Sequence, residues 1–191
     1  MTDAATHSDP NLVLIGLRAS GKTTLGRAVA EAEGRPFVDT DDLVLEAAGA
    51  TSVAEVFRER GEPAFRALER DALVRALGGH GCVVSLGGGT PTAPGAIEVI
   101  DRARAGGHAI VVYLHAPADV LAGRLAAVGH DANRPALRSG GDAASEVETL
   151  YQERDGLYRS IADRVVDEIP KGAPGVARLT GWTGWSAVAK G

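Results

Sequence analysis

The stretch "LVLIGLRASGKTT", residues 12–24, decides the fold. It opens on a short unbroken apolar run, the mark of a strand buried on both faces. From Gly16 to Thr23 it reads Gly-Leu-Arg-Ala-Ser-Gly-Lys-Thr, which satisfies G-x-x-x-x-G-K-[ST] in full. Glycines let the backbone curl until several N–H groups point at one anion, and the helix that follows offers its N-terminus to the same anion. Lys22 is placed to reach the β- and γ-phosphates of a nucleotide, and Thr23 to give its hydroxyl to Mg²⁺. The alternative is a chance glycine turn. The chain has only three lysines, Lys22, Lys171 and Lys190, and one of them falls on the pattern.

Outward from this stretch, strands and helices alternate. A helix is expected over 21–33, then a short strand in "PFVD", a helix from 41 to 48, and a capping-box start in "SVAE" at 52–55. "FRALERDALVRAL" is helical, with Phe65, Leu68, Leu73 and Leu77 near one face. "CVVSL" is a third strand, running into Gly87, Gly88 and Gly89. Pro94 opens a helix to about Ala105, "AIVVYL" is a fourth strand, and Pro117 opens a helix to about Ala126. Residues 128–142, polar and glycine-rich, read as a mobile loop. A long helix over about 143–162 and a fifth strand, "RVVDEI", follow. Trp182 and Trp185 suggest a last helix.

Parallel strands need crossovers, and helices supply them. The expectation is therefore a three-layer α/β/α domain on a central five-stranded parallel sheet, spanning 11–191 behind a flexible tail of residues 1–10. Ligands in such sheets bind beyond the carboxyl ends of the strands. The segments 16–23, 39–41 and 87–89 fall at those ends.

Composition narrows the function. The 191 residues are 45% hydrophobic and 24% charged, with a net charge of −5. That is an ordinary globular balance, without the dense basic surface that nucleic-acid binding needs. No run approaches the ~18 apolar residues of a membrane span, so no membrane partner is expected. The polar start "MTDAATHSDP" carries no apolar signal segment, and Cys82 is the single cysteine. A cytoplasmic monomer is expected.

The acidic and basic residues fall into a pattern. "FVDTDD" places Asp39, Asp41 and Asp42 at the end of the second strand. The strand "CVVSLGGG" ends in glycines, so Asp39 is the candidate acid for the Mg²⁺ shell. Asp41 could accept or orient a substrate hydroxyl, or could cap the helix beginning at Asp42. Glu62 and Arg66 stand four apart on a helix, giving either an arginine oriented to grip a carboxylate or a surface ion pair. Arg154 lies on the apolar stripe of Val147, Leu150, Tyr151, Leu157, Tyr158 and Ile161. A charge there needs an anionic partner or a snorkelling route to water. Arg134, in the glycine-rich loop, could be delivered to a migrating phosphoryl group when the loop closes.

Together, "GLRASGKTTLGR", "FVDTDDLVLEAAG", "FRERGEPAFRALE", "GGGTP" and "RPAL" with the later "ERDGLYRSIAD" resemble the shikimate kinase family, from about Leu12 to Asp167. That family consists of P-loop enzymes related in fold to the nucleoside monophosphate kinases. The resemblance implies transfer of phosphate from ATP, with Mg²⁺, to the 3-hydroxyl of shikimate, on the way to chorismate and the aromatic amino acids. It implies ATP binding by Gly16, Ala19, Ser20, Gly21, Lys22, Thr23, Thr24 and the lid arginine Arg134. Thr23 and Asp39 would serve the metal. Asp41, Arg66, Gly87, Gly88, Gly89 and Arg154 would hold shikimate, and Lys22, Asp41 and Arg134 would carry the catalysis. Three positions depart from the family pattern. Ala19 stands where glycine is frequent, and "RPAL" where leucine commonly follows the proline. Ala127 occupies the place of a nucleotide-contacting arginine, with Arg124 three residues earlier.

Two other readings use the same residues differently. A kinase for gluconate or a nucleoside monophosphate would share the build. A nucleotide-dependent switch would need the cradle but not the substrate arginines.

Overall fold

The computed structural model describes residues 9–128, 143–167 and 179. The expected lid loop with Arg134, and the expected helix around Trp182 and Trp185, lie outside them.

Five parallel strands form one sheet in the order β2-β3-β1-β4-β5. They are β1 (Asn11–Ile15), β2 (Phe37–Asp39), β3 (Val83–Ser85), β4 (Ala109–His115) and β5 (Arg164–Asp167). β1 lies in the middle, between β3 and β4, and every one of its residues is buried. The continuous run at its start has the expected cause: the sheet is covered on both sides. On one face Val13, Ile15, Val84, Val111 and Tyr113 pack with side chains of four helices. These are α3 (Val53–Leu77), α4 (Ala96–Ala105), α5 (Ala118–Val128) and α6 (Ala143–Ile161). On the other face Leu12, Leu14, Val83, Val112 and Leu114 pack against Leu25, Val29 and Ala30 of α1 (Lys22–Glu33) and against Leu179. Alternate residues of each strand serve opposite layers, as the period of two requires. This is the three-layer P-loop fold of the nucleoside monophosphate kinase type.

A third, smaller apolar cluster, Val44, Val56, Phe65 and Ala72, joins α2 (Thr40–Ala48) to α3 beside the main core. Here the two expected helical stretches are both present and meet at a kink. Gly61 takes a left-handed conformation (φ 74°, ψ 168°) and Pro63 follows it. Glycine is the residue that accepts a positive φ, so Gly61 interrupts the helical backbone, and Pro63 falls in the first turn of the following stretch, where its missing N–H costs no intrahelical bond. The capping box at its start is present in altered form. Ser52 accepts from the Glu55 N–H at 3.1 Å, but Glu55 reaches back to the N–H and hydroxyl of Thr51, both at 2.8 Å.

At the amino-terminal edge of the sheet the buried Arg35 ties the approaches to three strands. Its guanidinium donates to the carbonyls of Pro10, Gly81 and Cys82 at 2.8–2.9 Å, and to Glu33 at 3.0 Å. The pair is 0% and 6% exposed at its side chains, so removing either partner would strand a buried charge.

Candidate active site

The carboxyl ends of β1, β2 and β3 open into one cleft. Its lining includes Leu17, Arg18, Lys22 and Thr23 from the loop after β1, Asp39 and Asp41, Phe65, Arg66 and Glu69 of α3, Gly87 to Gly89, and Arg154 of α6. Residues up to 137 positions apart, Leu17 and Arg154, thus meet at the rim where the fold places ligands.

The loop from Gly16 to Gly21 turns tightly into α1. Gly16 has no room for a side chain: a Cβ there would come within 2.7 Å of the Leu114 carbonyl and 2.8 Å of the Ser20 hydroxyl. Gly21, in a left-handed conformation, is the N-cap of α1 and brings no side-chain cap. The first N–H groups of α1 therefore face the cleft as anion donors. Lys22 is buried, and its ammonium donates to the Gly16 and Leu17 carbonyls at 2.8 and 3.0 Å. The Ser20 hydroxyl is a buried polar atom with no hydrogen-bond partner among the described residues. Thr24 is exposed in the first turn of α1. Ala19 adopts a left-handed backbone (φ 64°), the conformation for which a glycine would be the unstrained choice. Arg124 of α5 donates to the Ala19 carbonyl at 3.3 Å. It thus stands at the edge of the cradle, while Ala127, one turn further along α5, is exposed.

The metal candidates come together. The Thr23 hydroxyl donates to Asp39 Oδ2 at 2.9 Å. Ser85, directly across the ladder from Asp39, places its hydroxyl 3.5 Å from that of Thr23. One carboxylate and two hydroxyls, all oxygen, suit Mg²⁺, which prefers few protein ligands and leaves room for phosphate oxygens and water. Ser85 was not singled out in the sequence. Its signal was its place as the last residue of β3, where a P-loop fold presents a polar group.

Asp41 is not the cap of α2. The helix begins at Thr40, and Asp39 caps it by accepting from the Asp41 N–H at 3.0 Å. Asp39 thereby serves both the cap and the Thr23 hydroxyl. Asp42 is solvated, 3.6 Å from the exposed Arg27. The Asp41 carboxylate lies over Gly87, where any side chain would collide with its Oδ1 and lie 2.9 Å from the Thr90 hydroxyl. A Cβ on Gly89 would lie 2.5 Å from Arg66 Nη1. The glycines thus make room for two protein side chains as much as for a substrate. The turn is fixed by Thr40, whose hydroxyl accepts from the Gly87 N–H at 2.8 Å.

Arg66 does contact Glu62, at 3.3 Å, but its main partner is Glu69, at 2.6 Å. Glu62 is exposed at the surface, whereas the Glu69 side chain is 3% exposed. Burial pushes the Glu69 carboxyl above its ordinary value, and the bonds from Arg66 and Thr90 offset part of that. Burial also works against the Arg66 charge, but the hydrogen bonds and charges of Glu69 and Glu62 outweigh it and raise the guanidinium pKa. The sequence reading missed Glu69 as a partner. Its signal was present: Glu69 sits on the α3 stripe of Phe65, Ala72, Leu73 and Ala76, the buried face.

Arg154 does not snorkel. It is buried, and its Nη1 donates to the Gly88 carbonyl at 2.7 Å. The hydroxyl of Tyr158, one turn along α6 and fully buried, donates to the same carbonyl. Burial pushes the Tyr158 phenol up to about 12, with Arg154 opposing, so it remains a donor at neutral pH. The guanidinium groups of Arg66 and Arg154 and the carboxylate of Asp41 thus line the same cleft as the phosphate cradle.

Comparison with known proteins identifies the family. The family model described as shikimate kinase matches residues 18–178. The shikimate kinase of Stenotrophomonas maltophilia strain K279a is 41% identical over 161 residues, 84% of each chain. That of Mycobacterium tuberculosis strain H37Ra is 40% identical over 158 residues, 83% of this chain and 84% of the relative. Among solved structures, shikimate kinase from Acinetobacter baumannii in complex with shikimate superposes with a TM-score of 0.79 at 31% identity, covering 93% of this chain and 94% of that one. The enzyme from Aquifex aeolicus superposes at 0.69 with 27% identity, covering 88% and 93%. The chain belongs to the shikimate kinase family of phosphotransferases.

Proposed function

We propose that the chain transfers the γ-phosphoryl group of ATP to the 3-hydroxyl of shikimate, giving shikimate 3-phosphate and ADP for chorismate and aromatic amino acid synthesis. One observation carries this reading: Asp41, Arg66 and Arg154 line the same cleft as Lys22 and Thr23. Shikimate has one carboxylate and three hydroxyls. Two guanidinium groups complement the carboxylate, and one aspartate complements the hydroxyls.

In this reading Gly16, Ala19, Ser20, Gly21 and Thr24 shape the phosphate cradle. Lys22 exchanges its carbonyl partners for phosphate oxygens. Arg124, already at the cradle edge, takes the part left open by Ala127. Thr23, Asp39 and Ser85 are the groups that would hold Mg²⁺, which when bound neutralises charge on the β- and γ-phosphates. Asp41 orients the attacking hydroxyl and accepts its proton. Arg66 and Arg154 hold the carboxylate, and Gly87, Gly88 and Gly89 keep space beside it. Arg134 is assigned the role of a lid cation on the migrating phosphoryl group. The unit is proposed to be one kinase domain over 11–191 that acts as a cytoplasmic monomer on ATP and shikimate. Among the described residues the large exposed apolar side chains, Val74, Ile97, Val120 and Val165, lie on four different elements, which supports the monomer.

The test is a coupled assay of ADP release with shikimate, gluconate, a nucleoside monophosphate or no acceptor. Release that depends on shikimate alone is expected. Equal slow release in every tube would identify a hydrolytic switch, and preference for another acceptor would replace the substrate.

A further inference from the structure

The Gly88 carbonyl receives two donors from one helix, Arg154 Nη1 at 2.7 Å and the Tyr158 hydroxyl. The turn that bears this carbonyl is packed against the cradle: a Cβ on Gly88 would sit 3.6 Å from the Arg18 nitrogen and 3.7 Å from the Gly16 carbonyl. Gly88 is thus the point where the acceptor pocket, the phosphate loop and α6 touch.

Gly88 is half-buried, and a carbonyl shielded in part from water loses free energy if left with no donor. If Arg154 were its sole donor, turning that guanidinium toward a substrate carboxylate would strip Gly88. Tyr158 removes the conflict. Its ring is fully buried and lies edge-on to Tyr113, with centroids 5.3 Å apart. The Tyr113 hydroxyl is in turn fixed to Asp155 at 3.0 Å, and Asp155 is held by Arg159 at 2.8 Å. The phenol is therefore a rigid donor, while the guanidinium four residues earlier is the adaptable one.

We infer that Tyr158 is a positioning residue for the acceptor: by keeping the Gly88 carbonyl satisfied, it lets Arg154 engage the substrate carboxylate. This rests on the reading that Arg154 binds that carboxylate.

The experiment measures binding to the full chain by calorimetry. The ligands are shikimate, ADP, and a shikimate analogue with a hydroxymethyl group in place of the carboxylate. Tyr158→Phe deletes one oxygen and keeps the ring, and its melting curve is recorded alongside. The expected result is about tenfold weaker binding of shikimate, the loss of roughly one charge-assisted hydrogen bond. ADP and the analogue should bind the variant as they bind the parent. A shikimate Kd within twofold of the parent would overturn the inference. So would equal losses for shikimate and the analogue, because a merely structural role does not discriminate by carboxylate. Arg154→Ala is run in parallel. If it weakens shikimate binding and Tyr158→Phe does not, the site reading stands and the role of Tyr158 falls. If neither variant weakens it, the assignment of Arg154 is at fault.

Discussion

The phosphate cradle and the acceptor pocket share one cleft but are built by opposite means. The cradle is one continuous run, Gly16 to Thr24, and it offers main-chain N–H groups together with Lys22 and Thr23 of the same run. The acceptor pocket is assembled from side chains of α2, α3 and α6 around a glycine turn. A backbone site depends on local conformation and tolerates change outside its run. A side-chain site depends on contacts such as Arg66–Glu69 and Arg154–Gly88, which only the finished fold supplies. The two halves should therefore fail differently.

The largest effect tests whether they are separable. Lys22→Ala is expected to lower turnover by at least ~10³, while shikimate binding measured without nucleotide stays near that of the parent. Near-normal turnover would mean the loop is no working cradle. In the other half, Arg66→Ala should raise the KM for shikimate tenfold to a hundredfold, the loss of ~1.5–3 kcal/mol of charged hydrogen bonding, with little change for ATP. An unchanged KM would remove Arg66 from the site.

Glu69→Gln sharpens the contrast through pH. As pH falls through the raised pKa of Glu69, the carboxylate takes up a proton and Arg66 loses its ionic partner, so shikimate affinity should fall on the acid side. The linkage to stability has the opposite sign: a carboxyl raised by burial contributes stability that is full below its unfolded value and is lost as pH rises through its folded one. The glutamine variant should flatten both profiles and weaken shikimate binding several-fold at neutral pH. A KM profile for shikimate identical to that of the parent would deny Glu69 its role. The smallest effect lies in the cradle. Ala19→Gly relieves a left-handed alanine that costs ~1–2 kcal/mol, less the ~0.4–1 kcal/mol by which glycine loosens the unfolded chain. A rise in Tm of ~2–4 °C follows, read by calorimetry. A fall would show that the loop gains from the stiffness of alanine.

The same contrast explains what the sequence made legible. β1, the loop and α1 form one contiguous pattern, so a motif and a period were enough to place them. The parallel sheet with helices on both faces followed from alternation and from the unbroken apolar run of β1, but the order of its strands is set by long-range pairing and was not legible. Asp39, Asp41, Arg66 and Arg154 were visible as charges next to apolar stripes. Glu69 escaped as a partner because a glutamate three residues from an arginine is ordinary until Phe65 and Ala72 are known to be buried around it. The capping role moved from Asp41 to Asp39 because the helix begins two residues earlier than its apolar period. The break at Gly61 was legible only as a gap between two helical stretches, not as a kink that joins them. Residues held by distant neighbours cannot be read from near ones.

Arg35 carries a practical consequence. Its four ties knit the entrances to β1, β2 and β3 at the end of the molecule farthest along the strands from the chemistry. Part of the fold's stability is therefore built at the pole opposite to the chemistry. Selection, or a protein engineer, can harden or soften that knot to suit a warmer or colder host and leave the kinase reaction as it was.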